Sequence, residues 1–468
     1  MIQESFSKEE FYRIVKELQK IGVELRQYYH DFLPLFPQLY SYDSWFDPAY
    51  LKEYIQRQSI KGLYIHVPFC QNFCCYCPYY KEKFLTEKQL DEYLNLLQQE
   101  IKLFRENFIP SKKLNIQSVY IGGGTPSLFT NQQVKKLFSI IEKYFTINPK
   151  AEVTFEMNLA STTPSKLLYL KSVGVNRVSI GIQTFDGNLL AKLGRGYTAD
   201  YIRPSIGLIQ KHFSNYNIDM MFGLPYQQLE MLKKDLDVLK KIDPPSVTFY
   251  QLWLKRRSCV FMKLPEYSKI SASAFPSIKT IINMKYLLWK FLKEGHYQIK
   301  IFPWFLKSTF SHPHQQMMYK SETVIGFGPA AYSEGKHWGY GNVPTLKIYR
   351  EKIEKGNLPI CSGIILTPVE QALRNLLLGL KCGVVSINED LLKCPLTENI
   401  LDKIEKLRHA GVIFRNGNNL QLTSIGKFFV DEINFYLMPK IYHPRYCEHV
   451  CVHANSVWTR GKWKKYVN

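Results

Sequence analysis

The sequence predicts an α/β protein built on an open (β/α)6 partial barrel. Six short, apolar, β-branched runs recur along the chain: Leu63–Val67, Ile116–Ile121, Ala151–Phe155, Arg177–Ile182, Tyr216–Met221 and Ser246–Leu252. Helical stretches such as Gln133–Tyr144, Pro164–Val173 and Gln228–Ile242 lie between them. Strands that alternate with helices form a parallel sheet. The spacing of about 30–35 residues per unit matches a βα repeat. Six units are too few for a closed eight-fold barrel.

The elements on either side read in order. Residues 1–56 form a helical, amphipathic N-terminal extension, opened by Ser7 and Glu10 in a capping-box pattern. Residues 57–262 hold the six units. Residues 263–365 form a mixed extension of that core, with a Gly-rich segment at Ile325–Ser333. Residues 366–436 read as a small winged-helix-like domain: helices Thr367–Lys381 and Glu398–Ala410, a hairpin of Gly411–Arg415 with Asn419–Thr423, and a last helix Gly426–Tyr436. Asp431 and Glu432 on that last helix disfavour a phosphate contact, so the domain is expected to pack rather than to bind DNA. Residues 437–468 are a basic tail rich in Cys, His and aromatic residues.

Lys plus Arg number 61 against 40 Asp plus Glu, a formal charge of +21. So basic a chain brings nucleic acid into question. No run of like charge forms a binding arm, however, so nucleic acid is not the expected partner. An anionic small substrate or an acidic electron donor suits the charge as well. No stretch reaches the ~18 apolar residues of a membrane span, and the start has no basic-then-apolar leader. A cytoplasmic protein is expected. In a reducing compartment, clustered cysteines read as metal ligands and scattered ones as core residues.

One cluster stands out among the 10 cysteines: Cys70-Gln-Asn-Phe-Cys74-Cys-Tyr-Cys77, directly after the first strand. Three thiols at C-x-x-x-C-x-x-C point to an iron–sulfur cluster, because thiolates are its ligands. Three ligands leave one iron of a [4Fe–4S] cube open for chemistry. The competing reading is structural zinc, which needs a fourth Cys or His nearby. His66, on the strand, is the nearest imidazole. Cys75 lies off the ligand spacing and is not expected to bind.

The run Tyr64-Ile-His-Val-Pro-Phe-Cys70 with Cys74 and Cys77 resembles the radical S-adenosylmethionine (SAM) superfamily. Within it, the sequence is most similar to oxygen-independent coproporphyrinogen III oxidases and their heme-chaperone relatives. Gly122-Gly-Gly-Thr-Pro126, Glu152-Val-Thr-Phe-Glu156-Met-Asn158, Gly174–Phe185, Leu193-Gly-Arg195, Ile218–Pro225 and Val247–Leu252 extend the resemblance. The resemblance implies a [4Fe–4S] cluster on Cys70, Cys74 and Cys77, and SAM bound in one copy or two. One electron from a low-potential, flavodoxin-like or ferredoxin-like donor would cleave SAM and release a 5′-deoxyadenosyl radical. The implied SAM shell is Tyr64, Gly123, Gly124, Thr125, Glu156, Gln183, Arg195 and Asp219. Arg195 would lie near the cofactor carboxylate and Asp219 near the ribose.

Three activities stay open within that resemblance. One is a coproporphyrinogen dehydrogenase-type oxidoreductase of porphyrin biosynthesis, or another enzyme acting on an anionic or aromatic small molecule. Another is a methyltransferase or cyclopropanase of the same branch. The third is a heme-binding chaperone. The oxidases carry a fourth Cys where Tyr79 stands here. The chaperones carry a His-Asn-x-x-Tyr-Trp heme motif; aligned on Tyr319, this chain has Gln315-Gln-Met-Met-Tyr-Lys320, with His314 one place out of register. The tail adds Cys447 and Cys451, weak candidates for a catalytic or metal-binding role, on a segment that would either fold back over the active site or form a flexible basic end.

Overall fold

The computed structural model describes residues 7–26, 46–74, 76–77, 79–110, 114–252, 274–388, 391–392 and 399–439. The tail candidates Cys447 and Cys451, and Cys75 within the motif, lie outside the described residues.

The six expected strands form a continuous parallel sheet: β1 (Ile60–Val67), β2 (Asn115–Gly123), β3 (Thr146–Met157), β4 (Arg177–Gln183), β5 (Tyr216–Phe222) and β6 (Ser246–Gln251). They stand side by side in chain order, as in the partial barrel expected from the sequence. The sheet then continues past both edges. On one side lie β7 (Gln298–Ile301) and β8 (Trp304–Leu306); on the other lie β9 (Thr323–Phe327), β10 (Tyr332–Glu334), β11 (Trp338–Asn342) and β12 (Ile360–Ile365). The order is β12-β11-β10-β9-β1-β2-β3-β4-β5-β6-β8-β7. The Gly-rich segment therefore begins as a strand. β9 runs parallel to β1, pairing Ile60 with Thr323 and Ile65 with Phe327. The stretch 263–365 thus supplies half of a twelve-stranded sheet, which its mixed sequence texture did not announce.

Cross-strand register explains how the sheet makes a site. One set of rows is apolar: Leu63, Val119 and Val153; Ile65, Ile121, Phe155 and Val178; Ile180, Ile218 and Val247. Side chains alternate between faces along a strand, so these rows share one face. It is covered by helices such as Asn131–Tyr144, which buries Val134, Leu137, Phe138, Ile140 and Ile141. The intervening rows carry Ser118 and Glu152; Tyr64, Tyr120, Thr154 and Arg177; Glu156, Ser179, Asn217 and Ser246; Asp219 and Thr248. A doubly covered parallel strand is usually apolar throughout. Here half of each run is polar, and that half faces the interior.

The first and last described elements join this core. Helix Lys8–Lys20 is capped by the Ser7 hydroxyl, which accepts from Glu10 N at 3.2 Å. It packs Phe11 against Trp289 and Phe429, with ring centroids 6.0 and 5.9 Å apart. The C-terminal region holds helices Pro368–Lys381, Ile400–His409, Ser424–Phe428 and Val430–Leu437 around a small three-stranded sheet. Asp431 and Glu432 do more than avoid phosphate. They are buried and pair with Lys381 and Lys285, which pins the Val430–Leu437 helix to helices Pro368–Lys381 and Ile278–Glu294.

Removing one partner of a buried pair strands the other charge, at a cost of about 3–5 kcal/mol. Glu432→Ala should therefore destabilise the fold by that order in denaturant unfolding. Replacing both partners with apolar residues (Lys285→Met with Glu432→Leu) should recover most of the loss. A double variant as unstable as Glu432→Ala would refute this account.

Candidate active site

The three cysteines sit in a loop that leaves the C-terminal end of β1. The loop returns on itself: Phe69–Cys70 pairs with Glu82–Lys83, and Phe84 N donates to Cys70 O at 2.9 Å. Lys81 Nζ donates to Cys77 O at 3.0 Å, and Cys77 N to Cys74 O at 3.2 Å. The loop is stitched to the next strand end by Gly124 N donating to Val67 O and Thr125 N donating to Phe69 O, both at 2.7 Å. That approach requires glycine. A Cβ on Gly124 would lie 2.5 Å from Phe69 O, and one on Gly123, at φ +106°, would lie 2.7 Å from the His66 ring. The glycine run therefore serves close contacts within the chain itself.

His66 is excluded as a metal ligand. Its Nε2 faces Tyr80 O at 3.1 Å and must carry the proton, so Nδ1 accepts from Tyr64 OH at 3.0 Å. Both ring nitrogens are occupied. Burial also holds the ring neutral, with its pKa lowered to about 4. Among the described residues, no three His, Cys, Asp or Glu side chains are gathered around one ion position. The donor set instead fits a larger body. Burial pushes the Cys70 thiol up to about 12, so a thiolate there needs a cationic partner such as iron. Two of the sulfurs already receive donors: Thr125 Oγ1 to Cys70 Sγ and Arg195 Nη1 to Cys74 Sγ, each at 3.4 Å.

Glu156 and Asp219 lie beyond the loop, on the polar face of β3 and β5. Glu156 accepts from Tyr120 OH at 2.7 Å and from Gly123 N at 3.1 Å. It is half-buried near the C-terminal end of β3. Burial, aided by the nearby Asp219 charge, pushes it up to about 7 against those hydrogen bonds. Asp219 accepts from Ser179 Oγ at 3.1 Å and Asn217 Nδ2 at 2.7 Å, and burial raises its pKa as well. Neither carboxylate forms an ion pair among the described residues. Such a site favours a cation.

Gln183 ends β4 at φ +75°, where the register of β4 against β5 shifts. A non-glycine residue in that region marks local strain of the kind that collects at functional sites. Its Oε1 accepts from Tyr250 OH at 2.7 Å. Tyr64 stacks loosely against Tyr120, with centroids 6.1 Å apart, on the wall below the loop. The structure thus gathers Tyr64, Gly123, Gly124, Thr125, Glu156, Gln183, Arg195 and Asp219 around the cysteine loop.

Sequence reasoning missed the floor beneath them. Glu152 accepts from His312 Nδ1 at 2.9 Å, and His314 Nδ1 meets Ser118 Oγ at 2.9 Å. His312 stacks under Tyr120 at 6.1 Å, and Arg177 is fully buried in the same layer. Burial opposes the charge on Glu152, but the His312 N–H and the Arg177 guanidinium outweigh it and draw its pKa down. The available signal was the period-2 placement of polar residues inside runs read as apolar.

Comparison with known proteins agrees with this geometry. Residues 64–239 match the family model described as the radical SAM superfamily. The heme chaperone HemW of Buchnera aphidicola (subsp. Schizaphis graminum) is 32% identical across 58% of this chain and 70% of its own. HemW of Bacillus subtilis is 28% identical across 80% of this chain and 98% of its own. The oxygen-independent coproporphyrinogen III oxidase of Helicobacter pylori is 23% identical across 79% and 84%. In fold, the chain superposes on the Escherichia coli coproporphyrinogen III oxidase HemN with a TM-score of 0.75, at 22% identity, covering 87% of this chain and 96% of that one. With three cysteines on the loop after β1, and with Glu156 and Asp219 on the polar face of β3 and β5, the chain belongs to the radical SAM superfamily, in its coproporphyrinogen oxidase-like and heme chaperone branch.

Proposed function

We propose that this chain is a radical SAM enzyme whose Cys70, Cys74 and Cys77 hold a [4Fe–4S] cluster, and whose substrate is a tetrapyrrole or another anionic or aromatic small molecule. One observation carries the reading: Glu156 and Asp219, which form no ion pair among the described residues, lie on the polar face of the sheet beside a three-cysteine loop. A sulfonium cofactor with an ammonium group answers both charges. When bound, the cluster and SAM supply reductive cleavage to a 5′-deoxyadenosyl radical. The chain's own part is placement. Glu156 takes the ammonium end, Asp219 the ribose hydroxyls, and Gln183 is fixed by Tyr250. The buried layer of Glu152, His312 and Arg177 closes the floor against water, which protects a reactive intermediate from side reactions. A net charge of +21 suits capture of an acidic one-electron donor.

A heme chaperone is the second reading, favoured by the relatives named above. Against it, His312 and His314, the imidazoles beside the segment aligned on Tyr319, are buried and bonded to Glu152 and Ser118. Anaerobic incubation with heme and with coproporphyrinogen separates the two. The enzyme reading expects 5′-deoxyadenosine to form in step with substrate loss. Intact heme in a stable complex, with no deoxyadenosine above background, would establish the chaperone.

Cluster assignment is checked by anaerobic reconstitution and electron paramagnetic resonance. Cys70→Ala, Cys74→Ala and Cys77→Ala should each lose the [4Fe–4S] signal; retention of the full signal in any one removes that residue from the ligand set.

The Glu156 environment predicts a pH dependence. Its pKa is raised to about 7, so the empty site holds a proton below that pH and a carboxylate above it. A cationic ligand binds the carboxylate form. SAM affinity, measured by equilibrium dialysis, should therefore rise as pH climbs from roughly 6 to 8 and then level off. Glu156→Gln should bind weakly at every pH. A flat profile in the unsubstituted protein would count against the assignment.

A further inference from the structure

We propose that Asp235 is a positioning residue for the cofactor site: from an outer helix it holds Gln183 in the left-handed backbone conformation that ends β4. The inference rests on the reading that Gln183 belongs to the SAM shell. Asp235 lies on helix Leu229–Ile242, whose other buried side chains, Leu232, Leu236 and Leu239, are apolar. It is 1% exposed and forms no ion pair among the described residues. Burial pushes its pKa up to about 7. A carboxyl is costly to bury unless hydrogen bonds satisfy it, so its partners show what it serves.

Both oxygens are engaged by the segment that follows β4. Oδ1 accepts from Phe185 N at 2.7 Å and Oδ2 from Thr184 Oγ1 at 2.9 Å. Thr184 Oγ1 in turn accepts from Asp186 N at 3.1 Å, and Asp186 Oδ1 caps helix Gly187–Lys192 by accepting from Leu189 N at 3.0 Å. These residues directly follow Gln183, at φ +75°. There β4 skips Ile182 in its pairing with β5: Gly181 lies opposite Asp219, and Gln183 opposite Met220. An extra residue of this kind bends a strand and re-aims its side chains. A non-glycine residue in the left-handed region stays there only where its surroundings outweigh the cost. On one side of Gln183 the contact is Tyr250 OH, which donates to Oε1 at 2.7 Å. On the other side it is Asp235, through the next two residues. Without Asp235, Phe185 N and the fully buried Thr184 hydroxyl lose their acceptor. The backbone at Gln183 could then relax toward an ordinary strand conformation and carry its amide away from Tyr250.

The test measures SAM affinity of the reconstituted full-length protein by anaerobic equilibrium dialysis. SAM binding by the unsubstituted protein, and its weakening in Gln183→Ala, test the underlying reading; the Asp235 variants test this one. Asp235→Ala should weaken binding by roughly tenfold, the scale of one buried hydrogen bond. Asp235→Asn, whose amide oxygen can still accept from Phe185 N, should stay within about threefold of the unsubstituted protein. Leu239→Ala, on the same helix, should lower stability in denaturant unfolding and leave the affinity unchanged. In a Gln183→Ala background, Asp235→Ala should add less than about threefold, because it acts through Gln183. Unchanged affinity in Asp235→Ala overturns the proposal. So does an equal loss in Asp235→Asn or in Leu239→Ala, or an undiminished further loss in the Gln183→Ala background. Should Asp235→Ala fail to fold, Thr184→Val decides: an affinity equal to that of the unsubstituted protein overturns the proposal, and a loss supports it.

Discussion

The buried guanidinium of Arg177 is the cation on which the polar face of the sheet depends. It is fully buried, and the carboxyl groups of Glu152, Glu156 and Asp219 all feel its charge. An isolated charge in such a place would cost several kcal/mol, so the layer persists only because its members compensate one another. Glu152 is satisfied by His312 and Arg177 together. Glu156 and Asp219, nearer the mouth, are left with hydrogen bonds but no ion pair. The charges are compensated around Glu152, His312 and Arg177, whereas Glu156 and Asp219 form no ion pair among the described residues.

The same face explains why the cysteine loop can be held so closely. Gly123 and Gly124 let β2 end against the ring of His66 and the backbone of Val67 and Phe69. His66 is held in turn by Tyr64 and by the Tyr80 carbonyl. Each contact is short range and directional, so the loop is positioned by hydrogen bonds as much as by packing.

Much of this was legible in the sequence. The six strand runs matched β1–β6, because length, β-branching and the intervening helices agree. The cysteine spacing marked the loop. The flanking strands were not legible: β8 and β10 span only Trp304–Leu306 and Tyr332–Glu334, too short for a period to emerge. Asp431 and Glu432 read only as disfavouring phosphate; their buried pairing with Lys381 and Lys285 was not legible.

The pairing of β1 with β9 has a consequence for how the protein is made. β1 emerges early in synthesis, but its neighbour Thr323–Phe327 is translated only after most of the chain. The N-terminal helix likewise packs on Phe429, near the other end. Contacts so distant in sequence close late. Throughout elongation the cysteine loop hangs from a strand with one edge uncovered, and the sheet around it is completed only as the ribosome nears the end of the message. The scaffold that holds the cysteine loop is therefore complete only once these later segments are in place.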